Sequence, residues 1–394
     1  METSIGRRVA LVRKAKGMSQ RQFADKLGYS VSWVKKIESC ARPLDRYSVI
    51  SEVAKALGVH VSELTEEPVR VRDEHDAHQS VQDIRGRLLA GPSDGNEPAR
   101  PVDALVRDVR SAIITRQAGR FAAFGRAIPE LLDEVEHSAA TATGAEREQA
   151  VSALVELLHG AAMLLRRLGY VDLAWIALNR AAVAVADSGD PLLPAVQDWQ
   201  TAETLFRAGQ TDEALRVVDH GLAVLAEQGG NRLASSSLYG TLHLLHAIGA
   251  AQNEDASRAM EALTEARATA ERTGRGRDDY QTVFGPTEVA IASIAANVEM
   301  GRTGTALEWA SDIRPSEVQT VERQARYQID LARAHAQGRN ERAAYQAITA
   351  AYKAAPEYVR NHVMAREVVA WLIDRERRAS MTGLRTLAKH MGIV

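Results

Sequence analysis

The alternation of apolar and polar positions reads as helix along nearly the whole chain. Ile5, Val9, Leu11 and Val12 fall at helical spacing, and Gly17 ends that helix. Ser19 is a good N-cap for a second helix that turns Phe23, Ala24 and Leu27 inward. Gly28 supplies the backbone freedom of a sharp turn, and Ser30 caps a third helix with Val34 and Ile37 on its inner face. A fourth helix runs from about Arg46 to Leu57, where Gly58 stops it; Val59, Val61 and Leu64 predict a last short turn. Small residues at Ala24 and Gly28 let two helices cross closely. That leaves Val31, Ser32, Lys35 and Lys36 facing outward, with Trp33 at the flank.

Beyond residue 102 the pattern is helix after helix, rich in Ala and Leu, and it repeats. Gly169, Gly209, Ala251, Gly301 and Gly338 are each followed five residues later by an alanine: Ala174, Ala214, Ala256, Ala306 and Ala343. Each small residue ends one helix, and each alanine lies early in the next, so small side chains let antiparallel helices pack closely. A weaker unit begins near Gly119-Arg120-Phe121. Between the two regions, residues 66–101 are polar, charged and rich in breakers, with one short helix expected around Val81, Ile84, Leu88 and Leu89 and a linker from Gly91 to Pro101. A second break, Tyr280 to Glu288, contains Gly285-Pro286, with Thr287 placed to cap the helix that follows.

Charge sharpens this division. Residues 1–58 carry 12 Lys/Arg against 5 Asp/Glu, a net +7, while the rest of the chain carries 37 against 46, a net −9. A basic head on an acidic body is the electrostatic footprint of nucleic-acid binding confined to the head. Cys40 is the single cysteine, so no intrachain disulfide forms and no cysteine-based metal site is built. With no long uninterrupted apolar run and no signal-peptide core, the chain reads as cytoplasmic, with no membrane partner. No HExxH, phosphate-cradling loop, dinucleotide fingerprint or nucleophile elbow is present, which argues against an enzyme and against a cofactor. His75 and His78, like His243 and His246, lack further ligands, so no metal site is assigned.

On the outward face of the third helix, serine can donate to or accept from a base edge, lysine suits guanine acceptors, and Val31 can meet a thymine methyl. The expected DNA contacts are Ser30, Val31, Ser32, Trp33, Lys35 and Lys36 at the bases, with Gln20, Arg21, Arg42 and Arg46 on phosphates. The stretch Leu27 to Glu38, followed by Arg42-Pro43, resembles the lambda repressor/Cro-like (XRE) helix-turn-helix family, actinobacterial members in particular, over about residues 3–65. Members of that family usually have glycine just after the third helix, where this chain has Cys40. Either the turn differs here, or Cys40 is slightly strained and open to a redox role.

The repeats resemble tetratricopeptide repeats, with longer spacings than the usual period. The resemblance implies stacked helix pairs with a concave binding surface. Its expected effector contacts include His159, Arg166, Trp199, Glu203, Phe206, Arg207, Thr241, Glu288 and Gln328, with Glu156 and Met163 on the same face. An XRE head on such a body is similar in architecture to the peptide-pheromone-sensing (RRNPP-type) regulators. The expected protein is all-α, with a helix-turn-helix domain at 1–65, a linker at 66–101 and a TPR-like α-solenoid at 102–394. It is expected to act as a homodimer on a palindromic double-stranded DNA operator, controlled by a peptide or small-molecule effector. The alternative is a DNA-tethered protein-docking scaffold with no diffusible ligand.

Overall fold

Local serine caps open the first three helices. α1 (Ile5–Ala15) starts at Ser4, whose hydroxyl accepts from the Arg7 N–H. α2 (Gln20–Leu27) opens on a reciprocal capping box between Ser19 and Gln22 and closes on Gly28 at φ 70°. α3 (Val31–Glu38) opens on Ser30, which accepts from the Trp33 N–H at 3.1 Å. α4 (Tyr47–Leu57) closes on Gly58, and α5 (Val61–Thr65) follows. Ile5, Val9, Phe23, Val34, Ile37, Ile50, Val53 and Leu64 form the shared core. Arg13 extends the stripe of Ile5 and Val9, and its guanidinium donates to both oxygens of Glu38 at 2.5 and 3.0 Å. Glu38 also accepts from Gln20 at 2.8 Å, so one carboxylate ties α1, α2 and α3 together.

The chain is represented by a computed structural model that describes residues 4–65, 75–90, 100–227, 233–274, 278–375 and 381–393. After α5 come α6 (His75–Ala90), α7 (Val102–Gln117), α8 (Phe121–Thr141), α9 (Gly144–Arg167), α10 (Val171–Ala186), α11 (Leu193–Arg207) and α12 (Thr211–Glu227). They are followed by α13 (Leu233–Gln252), α14 (Ala256–Thr273), α15 (Pro286–Glu299), α16 (Thr303–Ser311), α17 (Val321–Gln337) and α18 (Glu341–Ala354). The last three are α19 (Pro356–Arg360), α20 (Val363–Ile373) and α21 (Leu384–His390). The fold is all-α, a helix-turn-helix head followed by helix hairpins. The expected connector helix is α6, with Val81, Ile84 and Leu88 buried and Leu89 exposed. The expected linker from Gly91 lies outside the described residues except for Arg100 and Pro101, and so do the side chains of His75 and His78.

One turn recurs along the hairpins. At Gly119, Gly169, Gly209, Glu254, Gly301 and Arg339 the backbone is left-handed, with φ between 57° and 85°. In each turn that residue's N–H donates back three residues, and the next N–H donates back five: Gly169 to Arg166 and Tyr170 to Leu165, for example, or Arg339 to Ala336 and Asn340 to His335. This is the Schellman closure, which satisfies carbonyls left free at a helix end. Five residues on, Phe124, Ala174, Ala214, Ala259, Ala306 and Ala344 are all fully buried. The structure thereby corrects two of the expected registers. The pairs are Glu254 with Ala259 and Arg339 with Ala344, rather than Ala251 with Ala256 and Gly338 with Ala343. A small residue does not by itself mark the turn, which is defined by its left-handed backbone and here falls on Glu254 and Arg339.

The described chain groups into two compact units. One comprises Met1–Arg70, Ala247–Thr264 and Thr287–Val394; the other comprises Val71–His246 and Glu265–Pro286. In the second unit, α7 to α12 form successive hairpins, each packed on the next, around a core that includes Val155, Val196, Trp199, Leu205, Leu215, Val218 and Leu242. α9 is the one described helix long and apolar enough to cross a membrane, and 72% of that stretch is buried inside the fold.

In the first unit, α15, α16 and α17 share a cluster of Ile291, Ile294, Val298, Ala306, Ala310 and Tyr327. α17 and α18 then pack on α20. This unit also holds the helix-turn-helix, and two of the head's helices take their N-terminal caps from the terminal repeats. The Ile5 N–H, opening α1, donates to Glu367 at 2.6 Å, and the Tyr47 N–H, opening α4, donates to Glu299 at 2.9 Å. A carboxylate at a helix N-terminus satisfies an orphan donor and meets the positive end of the helix dipole.

Burial pushes the Glu367 carboxyl up to about 7 from its ordinary 4.5, against the opposing pull of the Ile5 N–H and Arg8. A carboxyl raised on folding contributes stability that is fully present below pH 4.5 and lost as pH rises through about 7. Glu367→Gln keeps an acceptor for Ile5 and removes the titration. The fall in urea midpoint between pH 5 and pH 8 is therefore expected to be smaller in Glu367→Gln than in the wild type; equal falls would show that Glu367 is not the titrating group.

Candidate functional site

The exposed face of α3 presents Ser32, Lys35 and Lys36, with Val31 half-buried beside them and Ser30 exposed at the N-cap. The helix is held from behind by Val34 and Ile37, and across its ends by the Ser30 cap and the Glu38 cluster. A short helix anchored in this way can enter a groove without reordering. Trp33, expected at the flank, is instead only 9% exposed and stacks on Tyr29 with ring centroids 4.1 Å apart. An indole one turn from the core gains more from covering α3's apolar edge than from water.

Arg21 and Arg42 are exposed. Gln20 is half-buried in its bond to Glu38. Arg46 donates to the Glu299 carbonyl and to the Glu254 carboxylate, so its guanidinium is already engaged. Cys40 takes the strained alternative, left-handed at φ 60°. Its sulfur is buried 2.8 Å from the Ser4 hydroxyl, and burial raises its pKa, which keeps it a thiol rather than a reactive thiolate.

The second unit contains a cavity of about 820 Å³. α7 contributes Asp103, Arg107 and Arg110, and α9 contributes Glu148, Ser152, Glu156, His159 and Met163. Ser188 to Asp190 and the α11 residues Leu193, Val196 and Gln200 line another wall. Tyr280 and Gln281 complete it. Burial lowers the His159 pKa to about 4, so the ring is neutral at neutral pH. Gln197 donates its amide N–H to the Leu178 carbonyl, which turns its oxygen toward His159 Nε2 at 2.7 Å. Read from this network, Nε2 carries the proton and Nδ1 is an acceptor. Gln200 Oε1 is buried without a hydrogen-bond partner among the described residues. Burial also raises the pKa of Glu156, which accepts from Gln281 at 3.1 Å. Among the lining residues, Gln200 thus offers an unsatisfied acceptor and Arg107 and Arg110 offer donors.

The segment carrying Tyr280 and Gln281 is strained. Tyr280, Gln281 and Val283 have φ of 51°, 64° and 49°. Such conformations cost on the order of 1–3 kcal/mol each, and they persist only where the surroundings over-determine them. Here Tyr280 donates to Asp190 at 2.7 Å, Arg116 donates to Gln281 at 2.7 Å, and Phe284 is fully buried against Gly240. Pro286 itself opens α15, and Thr287 falls in its first turn rather than at the cap.

Of the nine expected effector contacts, His159 lines this cavity; Glu156 and Met163, expected on the same face, line it too. Arg166 is buried and donates to Thr204, the Gln200 carbonyl and Glu203. Trp199 and Phe206 lie in the core, and Arg207 is half-buried. Thr241 is buried and donates to the Ser237 carbonyl. Glu288 and Gln328 lie in the other unit, the former buried against Arg323 and the latter half-buried. The contribution of α7 was not legible from the chain, because α7 precedes the first repeat signature, at Gly119. The break that begins at Tyr280 supplies Tyr280 and Gln281 to the cavity wall. No group of three or more metal-ligating side chains forms among the described residues.

Comparison with curated proteins finds no match. Among solved structures, the chain is similar to PlcR of Bacillus thuringiensis, whose crystal structure is a complex with the peptide PapR7 and DNA. The match covers 68% of this chain and 95% of that one, at 14% identity and a TM-score of 0.32. A family model described as a helix-turn-helix domain matches residues 4–66, and this segment of the chain is a helix-turn-helix domain.

Proposed function

We propose that the protein is a sequence-specific DNA-binding transcriptional regulator, non-enzymatic and cytoplasmic, whose DNA occupancy is set by an effector in the cavity of the second unit. The observation that carries the reading is the anchored α3 with Ser32, Lys35 and Lys36 exposed on one face. These groups can read base edges, with Arg21 and Arg42 on flanking phosphates. A homodimer would place two such helices on half-sites a helical turn or a multiple of it apart, giving a palindromic operator. The effector is a peptide or small molecule that brings N–H or O–H donors, because His159 Nδ1 and Gln200 Oε1 are acceptors. A difference of about 1–3 kcal/mol between liganded and free states suffices to switch occupancy.

Chromatin immunoprecipitation of the tagged protein, followed by binding to the recovered DNA with and without cell extract, tests both parts. Lys36→Ala is expected to weaken binding to a recovered site by about 1–3 kcal/mol. Normal binding by that variant would place the reading face elsewhere. Filling the cavity with His159→Trp is expected to abolish any response to extract. Discrete sites indifferent to extract in the wild type would favour the DNA-tethered docking scaffold.

A further inference from the structure

We infer that the terminal repeats share the DNA interface with the helix-turn-helix domain: a cationic notch between the end of α3 and the turn joining α17 to α18 holds a DNA backbone phosphate. The inference rests on the DNA-binding reading above. The notch has a volume of about 610 Å³ and is lined by Lys36, Arg42, Arg46, Arg339 and Arg375, with Asp45 its one acidic residue. Asp45 does not neutralise them, because it is buried, accepts from Gln337 and faces Arg333. Arg46 is matched by Glu254, and Arg375 is spent on the Cys40 and Ala41 carbonyls. Lys36, Arg42 and Arg339 are exposed and pair with no acid among the described residues.

Three unmatched cations around one notch repel each other unless an anion joins them. Lys36 belongs to both the notch and the reading face, so a phosphate in the notch lies next to bases under α3. Arg339 adds an independent sign. Four of the six equivalent hairpin turns put glycine at the left-handed position, and the two that do not are Glu254 and Arg339. Glu254 pairs with Arg46 on the head. Arg339 instead brings a positive charge to where Lys36 and Arg42 already stand, in a backbone conformation disfavoured for its residue type.

The test uses the full-length protein and a duplex of about 30 base pairs of arbitrary sequence, with anisotropy followed over a salt series, because phosphate contacts are independent of sequence. Arg339→Asn removes the charge with a residue that tolerates the left-handed turn. It is expected to bind several-fold more weakly, with a log–log salt slope shallower by about 1. Arg314→Gln, at a side chain 81% exposed and outside the notch, should match the wild type. An unchanged slope for Arg339→Asn, or an equal loss in Arg314→Gln, would overturn the inference. Weakening by Lys36→Ala with none by Arg339→Asn would remove the notch and leave the DNA-binding reading standing. A wild-type chain that does not bind duplex at all would remove both.

Discussion

Arg333→Met is expected to destabilise the first unit by about 3–5 kcal/mol, because it strands buried carboxylates. The Arg333 guanidinium donates to Glu299 at 2.5 Å, to Asp330 at 2.9 Å and to the Asp45 carbonyl of the head. Side-chain exposures are 5% for Arg333, 3% for Glu299 and 7% for Asp330. Burial would depress the arginine's pKa, but Glu299, Asp330 and Asp45 together outweigh it and hold it above its ordinary value. Burial raises Glu299, and Arg333 is the first group opposing that rise.

Without Arg333, Glu299 is expected to bind its proton more readily in the folded state. A carboxyl raised on folding is stabilising below its ordinary pKa and loses that contribution as pH rises. The loss in Arg333→Met should therefore be larger at pH 8 than at pH 5. Urea unfolding at the two pH values measures it; a pH-independent loss would mean that packing, not charge, is what the variant removes. Because Glu299 also caps α4, the variant should loosen the seat of the head, visible as faster amide exchange at Tyr47.

Phe284→Ala is expected to cost about 3–5 kcal/mol in the second unit and to release the wall of the cavity. Phe284 has no exposed surface, and its ring fills the space beside Gly240, where an added Cβ would fall 2.0 Å from the ring. Gly240→Ala is accordingly expected to destabilise by about 1–3 kcal/mol through overpacking. The anchor matters because Tyr280, Gln281 and Val283 just before it are strained. Once the ring is removed, relaxing those residues is downhill and should break the bonds of Tyr280 to Asp190 and Gln281 to Glu156. Limited proteolysis should then cut between residues 278 and 284 in Phe284→Ala and spare the wild type. Equal resistance would show that the polar contacts alone hold the segment.

The elements that depend on near neighbours were legible from the chain. Ser19 with Gln22, Ser30, Gly28 and Gly58 mark the helix boundaries of the head, because a cap or a left-handed turn is a bond within a few residues. The hairpin turns at Gly169, Gly209 and Gly301 were legible for the same reason. Those at Glu254 and Arg339 were misregistered, since nothing in a charged side chain announces a left-handed backbone. Apolar spacing likewise named α9 and α11 as helices, yet it could not tell which of their polar groups face a cavity. His159 reaches it, whereas Arg166, on the same stripe two turns later, is absorbed by Thr204 and Glu203.

Tertiary structure alone decided where the head is seated. The caps of α1 and α4 come from glutamates 362 and 252 positions away, and Arg333 reaches a carbonyl 288 positions away. A buried carboxylate far along the chain carries no local signature. It is tolerated only because folding brings a helix N-terminus or a guanidinium to it, and that meeting exists in three dimensions and nowhere in the sequence.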